Sequence, residues 1–291
     1  MAAKQFIFAN SDIDGSLSYL IFRWITGAQI PYKTSSLFTI EQDFNEWYRK
    51  NGEKYDRVYL LGIDVSNCLN FVNKDNVLIF KHRSPVSSLS TAKIITDEKS
   101  NSTSMLLYNK FKNKVTLGDH QKLMLLLVYD IKKYKFDLPQ SKDLDILYKA
   151  YTGDKLLKFV TDFNGGFNQF SDKHRALINL YKKGIHNAIK DLKIFSGDLP
   201  FKGEKYKVIS TFADKYINEI SDRLLDHFES DICFVVNVDK NRVSFRRSPD
   251  CKVDLDILAD KIAFGGGHPY AASGTLTEDF ITITKLFKQV K

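Results

Sequence analysis

Two kinds of apolar pattern alternate along the first hundred residues. Residues 4–9, 57–63 (RVYLLGI) and 76–80 (NVLIF) are short, apolar and rich in β-branched or aromatic side chains, as expected of strands buried on both faces of a parallel sheet. Between them, residues 17–26 and 41–51 place apolar side chains at helical spacing. Strands alternating with helices predict an α/β sheet. From residue 102 the spacing turns mainly helical, with segments at 104–111, 120–134, 143–151 and 173–192. In the last of these, Leu177, Leu180, Tyr181, Ile185, Ala188, Ile189 and Leu192 share one face.

The stretch FSGDLPFKGEKY that follows is rich in Gly, Pro and charge and reads as a linker over 193–206. Beyond it the pattern is α+β. It comprises a strand at 207–211, a helix at 213–227, a hairpin of 232–238 and 242–246 around Asp239-Lys240-Asn241, and a helix at 255–262 leading into Gly265-Gly266-Gly267-His268. Two domains, 1–192 and 207–291, are therefore expected of a 291-residue chain.

Polar residues collect where the first strands end. Asn10, Asp12 and Asp14 stand at i, i+2 and i+4, so they point to one side if the backbone stays extended. In a parallel sheet that side is the carboxyl edge, where ligands bind. Asp64 ends the second strand run, His82 follows the third, and Asp130 lies inside the apolar helical run, where a charge needs a partner. Carboxylates with an imidazole suit Mn2+ or Mg2+. Each also has a plain structural reading: Asp-Gly-Ser starts helices, Asp64 can cap a loop, and a lone histidine can be a satisfied neighbour.

Composition adds a direction. Forty-three Lys and Arg against 35 Asp and Glu give a formal charge of +8, which suits a polyanionic partner. Cys68, Cys233 and Cys251 have neither metal-site nor redox spacing and read as reduced, structural residues. Residues 1–15 lack the order of a signal peptide, and the longest apolar run, 123–129, falls short of a bilayer span. A cytoplasmic protein with no membrane partner is expected, and homo-oligomerisation stays open.

The order Asn-x-Asp-x-Asp-Gly at 10–15, Asp64, Lys81-His82-Arg83 and Asp130 resembles the motifs of the DHH phosphoesterases. VSFRRSPDCKVDLDILADKIAFGGGHPYAASG resembles their DHH-associated domain. The resemblance implies an N-terminal parallel-sheet DHH domain, a smaller C-terminal α+β domain and a cleft between them. It further implies a two-ion Mn2+ or Mg2+ centre held by Asp12, Asp14, Asp64, His82 and Asp130, with Asn10 as a weaker neutral ligand. By the same resemblance, His82 and Arg83 take part in catalysis, and Arg246, Gly265, Gly266, Gly267 and His268 grip the substrate phosphate.

Glycines let backbone amides approach a phosphate, while Arg246 and His268 can donate to its oxygens. Phe245 and Tyr270 are candidates for stacking on a base. The expected activity is hydrolysis of short single-stranded nucleic acid, or of linear or cyclic dinucleotides such as second messengers, in the nuclease and exonuclease branches of the family. The alternative is a nucleotide-binding protein with an impaired centre. The usual Asp-His-His triplet reads Lys81-His82-Arg83 here, and the added charge either repels cations or compensates a phosphate. The string DIDGSL also resembles the opening of haloacid-dehalogenase phosphatases, but no later paired-acid motif accompanies it.

Overall fold

The computed structural model describes residues 3–66, 68–82, 89–285 and 287–291. The chain packs as two compact units, 1–179 and 180–291. The first holds β1 (Gln5–Asn10), α1 (Ile13–Thr26), β2 (Tyr32–Ser35), α2 (Ile40–Asn51), β3 (Arg57–Leu61), α3 (Leu69–Val72), β4 (Val77–Phe80) and β5 (Lys93–Ile95). The helices α4 (Thr103–Phe111), α5 (Asp119–Lys132), α6 (Ser141–Ala150) and α7 (Lys155–Asp162) follow, and α8 (Asp172–Lys190) runs from the first unit into the second.

Five strands pair in the order β2-β1-β3-β4-β5, all parallel. Their period of two sorts the side chains to two buried faces. Phe6 and Phe8 of β1, Val58 and Leu60 of β3, and Val77 and Ile79 of β4 pack with Ile40 and Phe44 of α2 on one face. Tyr59 meets Phe22 of α1 on the other, with ring centroids 4.6 Å apart. Burying each such side chain contributes about 1.5–3 kcal/mol.

The second unit holds β6 (Ile194–Phe201), β7 (Glu204–Phe212), α9 (Ile217–Phe228), β8 (Ile232–Asn237), β9 (Arg242–Arg247), α10 (Leu255–Ala263), β10 (Gly266–His268), β11 (Ala271–Thr275), α11 (Glu278–Thr284) and β12 (Lys288–Gln289). Its sheet runs β10-β11-β9-β8-β7-β6-β12, with β7 and β8 parallel and the other pairs antiparallel. Along β8, Ile232, Phe234 and Val236 join the core under α10 and α11, while Cys233 and Val235 face Ile220 and Leu224 of α9.

The expected linker is not one. Residues 194–201 are strand β6, paired with β7 along its whole length. Ile194, Leu199 and Phe201 are buried, and Lys202 and Gly203 make the left-handed two-residue turn (φ 50° and 83°) that closes the hairpin. The first helix also starts earlier than its apolar spacing predicts, at Ile13 rather than Leu17. Cys68, Cys233 and Cys251 are buried and free. Among the described residues no helix is long and apolar enough to cross a membrane.

Candidate functional site

The carboxyl edge of the parallel sheet gathers most of the acidic residues, by a route that differs from an extended strand. Asp12 is the N-cap of α1, and its Oδ1 accepts the Gly15 amide at 2.8 Å. The chain thus turns helical at Ile13, and Asp14 lies in the first helical turn, no longer in line with Asn10 and Asp12. Gly15 is demanded by this turn, because a Cβ there would sit 2.1 Å from the Asn10 carbonyl oxygen. The turn sends the two carboxylates to different partners. Oδ2 of Asp12 pairs with Nζ of Lys132, at the end of α5, at 2.9 Å.

Asp14 is 3% exposed and serves the start of α4. Its Oδ2 accepts the Thr103 amide at 2.9 Å, and its Oδ1 accepts the Ser104 amide at 3.0 Å and the Ser104 hydroxyl at 2.5 Å. A carboxylate on unpaired helix N-terminal amides is favourable through both hydrogen bonds and the helix dipole. Asp14 therefore clamps α1 to α4.

Asp64 follows β3. Its Oδ1 accepts the Ser66 amide at 3.0 Å and the Ser66 hydroxyl at 2.6 Å. Its Oδ2 pairs at 2.9 Å with Nζ of Lys81, the residue directly after β4. Burial pushes the Asp64 carboxyl up, but the bonds from Ser66 and Lys81 outweigh it and hold the group below its ordinary value. Lys132 is held well above the ordinary lysine value, chiefly by Asp12.

Asp130 is buried in α5 and turns to the backbone: Oδ1 accepts the Asp137 amide at 3.2 Å and Oδ2 the Leu138 amide at 3.0 Å. Desolvation raises its pKa; hydrogen bonding from Ser141 and the two amides lowers it by more. His82 is half-buried beside Lys81, and Arg83 lies outside the described residues. Asn10 closes β1, its Cβ within 3.7 Å of a Cβ built on Gly62. That same built Cβ would lie 3.2 Å from Thr103 Oγ1. Thr103 Oγ1 is fully buried with no hydrogen-bond partner among the described residues.

These side chains do not form a two-cation donor set as they are arranged. Among the described residues no three His, Cys, Asp or Glu side chains are grouped to hold a metal ion. Asp14 and Asp130 spend both oxygens on protein donors, and Asp12 and Asp64 each carry an ammonium. A dication 4 Å from such an ammonium meets a repulsion of about 8 kcal/mol at an effective dielectric of about 20.

In the second unit, Arg246 donates Nη2 to Asn218 Oδ1 of α9 at 2.6 Å and Nη1 to its neighbour's carbonyl at 2.9 Å. Both of these acceptors are neutral, and Arg246 and Asp222 of α9 both act electrostatically on Cys233, the residue opposite Arg246 in the β8–β9 ladder. Arg246 lies opposite Ala271 in the β9–β11 ladder, beside the parallel ring pair of His268 and Tyr270, whose centroids are 5.4 Å apart. Gly265 is required by packing, since a Cβ would come 2.1 Å from the Ser273 carbonyl oxygen. The Gly267 amide is taken by the Asp256 carboxylate at 2.6 Å, so one expected phosphate donor faces an acid of the chain itself. Gly266 pairs with Ser273 in the β10–β11 ladder.

Phe245 is not a stacking residue. It is fully buried and packs edge-on against Phe234 at 5.0 Å. Exposed aromatics beside the loop are Tyr270, at 42% exposure, and Phe264, at 80% exposure and φ 40°. The sequence reading also missed Lys132, Thr103, Ser104, Asn218 and Asp256. A Ser-Thr-Ser string before an apolar run marks a helix start; nothing local marks Lys132 as the partner of Asp12.

Residues 205–290 match the DHHA1 domain. Across nearly the whole chain the fold is similar to that of a pGpG-specific phosphodiesterase, PggH, from Vibrio cholerae (TM-score 0.58, 13% identity, 97% of this chain and 98% of that one). It is similar to RecJ in complex with Mn2+ from Thermus thermophilus (0.56, 12%, 97% and 51%). An exopolyphosphatase-related protein from Bacteroides fragilis gives 0.55, 14%, 98% and 91%. No curated protein sequence matches the chain.

Proposed function

We propose, for a chain that carries a DHHA1 domain and has the fold of the DHH/DHHA1 phosphoesterases, a phosphoesterase acting on short nucleotide phosphodiesters. The substrates of this reading are short single-stranded oligonucleotides and linear or cyclic dinucleotides. The observation that carries it is the DHHA1 match over 205–290, in which Arg246, bonded to the neutral Asn218 amide, stands near the exposed ring pair of His268 and Tyr270. A guanidinium suits phosphate oxygens, and exposed rings suit bases.

The reaction is hydrolysis at phosphorus. A water oxygen bonds to phosphorus, the ester P–O bond breaks, and the departing oxygen takes up a proton. Asp12 and Asp64 are the solvent-reached carboxylates of the sheet edge and serve as the bases of this reading. His82 and Arg83 follow Lys81 in sequence and are assigned to the phosphate. The solved RecJ structure of this fold contains Mn2+, so turnover is to be assayed with Mn2+, with Mg2+ and in EDTA.

The test is release of mononucleotides from 5′-phosphorylated dinucleotides and short oligonucleotides, followed by chromatography. No turnover under any of the three conditions refutes the hydrolytic reading. A second reading, recognition without turnover, is favoured by the Asp12–Lys132 and Asp64–Lys81 pairs. It is supported if dinucleotides bind tightly and remain intact.

A further inference from the structure

We infer that Lys81 and Lys132 are the built-in cations of the sheet-edge centre, which binds a phosphate group through ammonium groups in place of divalent ions. The inference rests on the reading above that a nucleotide phosphodiester is the ligand, and it names how that ligand's charge is met. Two elements deliver the two lysines independently. Lys81 leaves the end of β4 and reaches Asp64 across the neighbouring strand end, whereas Lys132 closes α5 and reaches Asp12 at the start of α1, both at 2.9 Å.

Lys81 is buried, with a side chain only 10% exposed. An ammonium is desolvated at such a cost that a chain places it there with a partner. The four groups balance as two positive and two negative charges, while the charge of Asp14 is taken up by the α4 amides. A phosphodiester arriving at this edge competes with a carboxylate for an ammonium, and the displaced carboxylate, 42% exposed in Asp64 and 34% in Asp12, turns to water.

Two titrations on the whole chain test this, with circular dichroism confirming that each variant is folded. Mn2+ binding is read by loss of the free-ion electron paramagnetic resonance signal, and binding of a fluorescent 5′-phosphorylated dinucleotide by anisotropy in EDTA. The wild-type chain is expected to take up less than one Mn2+ and to bind the dinucleotide in EDTA. Lys81→Met and Lys132→Met weaken that binding about tenfold each, the loss of one charge-assisted hydrogen bond, and their freed carboxylates gain Mn2+. Lys81→Arg and Lys132→Arg keep the charge and retain the affinity.

Two Mn2+ held tightly per wild-type chain overturns the inference. Dinucleotide affinity in EDTA that is unchanged by both Met variants also overturns it. A wild-type chain that binds no dinucleotide in any buffer refutes the proposed function instead, and gain of Mn2+ by the Met variants then still supports the lysine assignment.

Discussion

Replacing Asp14 by alanine separates a structural clamp from a metal ligand. The substitution strips an acceptor from the Thr103 amide, the Ser104 amide and the Ser104 hydroxyl, all in a buried setting. A buried donor left without an acceptor costs about 1–3 kcal/mol. The hydroxyl can turn to Ser102 Oγ, 3.2 Å away, so the two amides dominate and the expected loss is about 2–6 kcal/mol. Set against a total of about 5–15 kcal/mol for a domain, that is a large share of the stability of the first unit.

Because the chain packs as two units, one global transition is not assumed. The assay is urea unfolding followed by hydrogen exchange of the α4 amides. Asp14→Asn retains one acceptor oxygen and should lose about half as much. Asp198→Ala serves as the control: it removes an ion pair with Lys205 whose side chains are 50% and 70% exposed, so it should cost under about 1 kcal/mol. A loss below about 1 kcal/mol in Asp14→Ala, with α4 exchange unchanged, would refute the clamp.

Asp130→Ala should cost about 2–4 kcal/mol, because the Asp137 and Leu138 amides both lose their acceptor; a urea midpoint equal to wild type contradicts this. Asp64 and Asp130 titrate below their ordinary value when folded, so their stabilising effect is complete above the unfolded value of about pH 4 and is lost as pH falls through the folded values. Asp130→Asn should flatten that acid limb, and an acid limb matching wild type would count against the assignment. Gly265→Ala puts a methyl group 2.1 Å from the Ser273 carbonyl oxygen, and should lower the melting temperature of the second unit while leaving the first unchanged. Phe264→Ala should weaken dinucleotide binding about 5- to 100-fold, the worth of one base stack, at an unaltered melting temperature; equal affinity removes Phe264 from the ligand surface.

The parts of the fold legible in the sequence are those where burial is two-sided or one-sided throughout an element. RVYLLGI and NVLIF announce β3 and β4 because central parallel strands are apolar on both faces. The edge strands β2 (YKTS) and β5 (KII) carry mixed residues, and the period-two signal is too short to separate them from loops. Residues 194–201 are hard to read because Gly197 and Pro200 resemble punctuation, although Leu199 and Phe201 mark one apolar face of a strand and Ile194 is buried on the other. Phe245 was legible in another way. Arg242-Val243-Ser244-Phe245-Arg246 alternates, and Val243 with Phe245 marks the buried face, which excludes Phe245 from the ligand surface.

Motif spacing places acids at strand ends but says nothing of what neutralises them. Asp64 and Lys81 stand 17 positions apart and Asp12 and Lys132 stand 120 apart, so only the tertiary fold reveals the pairing. A carboxylate at the carboxyl edge of a parallel sheet needs a positive partner, and an ammonium on a neighbouring element meets that need as a metal ion does. In the assignment proposed above, lysines take this role in a fold similar, at 12–14% identity, to that of structures such as manganese-bound RecJ. The exchange changes where the charge comes from. A bound ion is drawn from solution and its effect follows concentration, whereas a tethered lysine has its desolvation and side-chain entropy included in the stability of the folded chain. In the lysine assignment proposed above, the acidic motif and the cation requirement are separable, and Mn2+ uptake by the Lys81→Met and Lys132→Met chains is the observation that decides it.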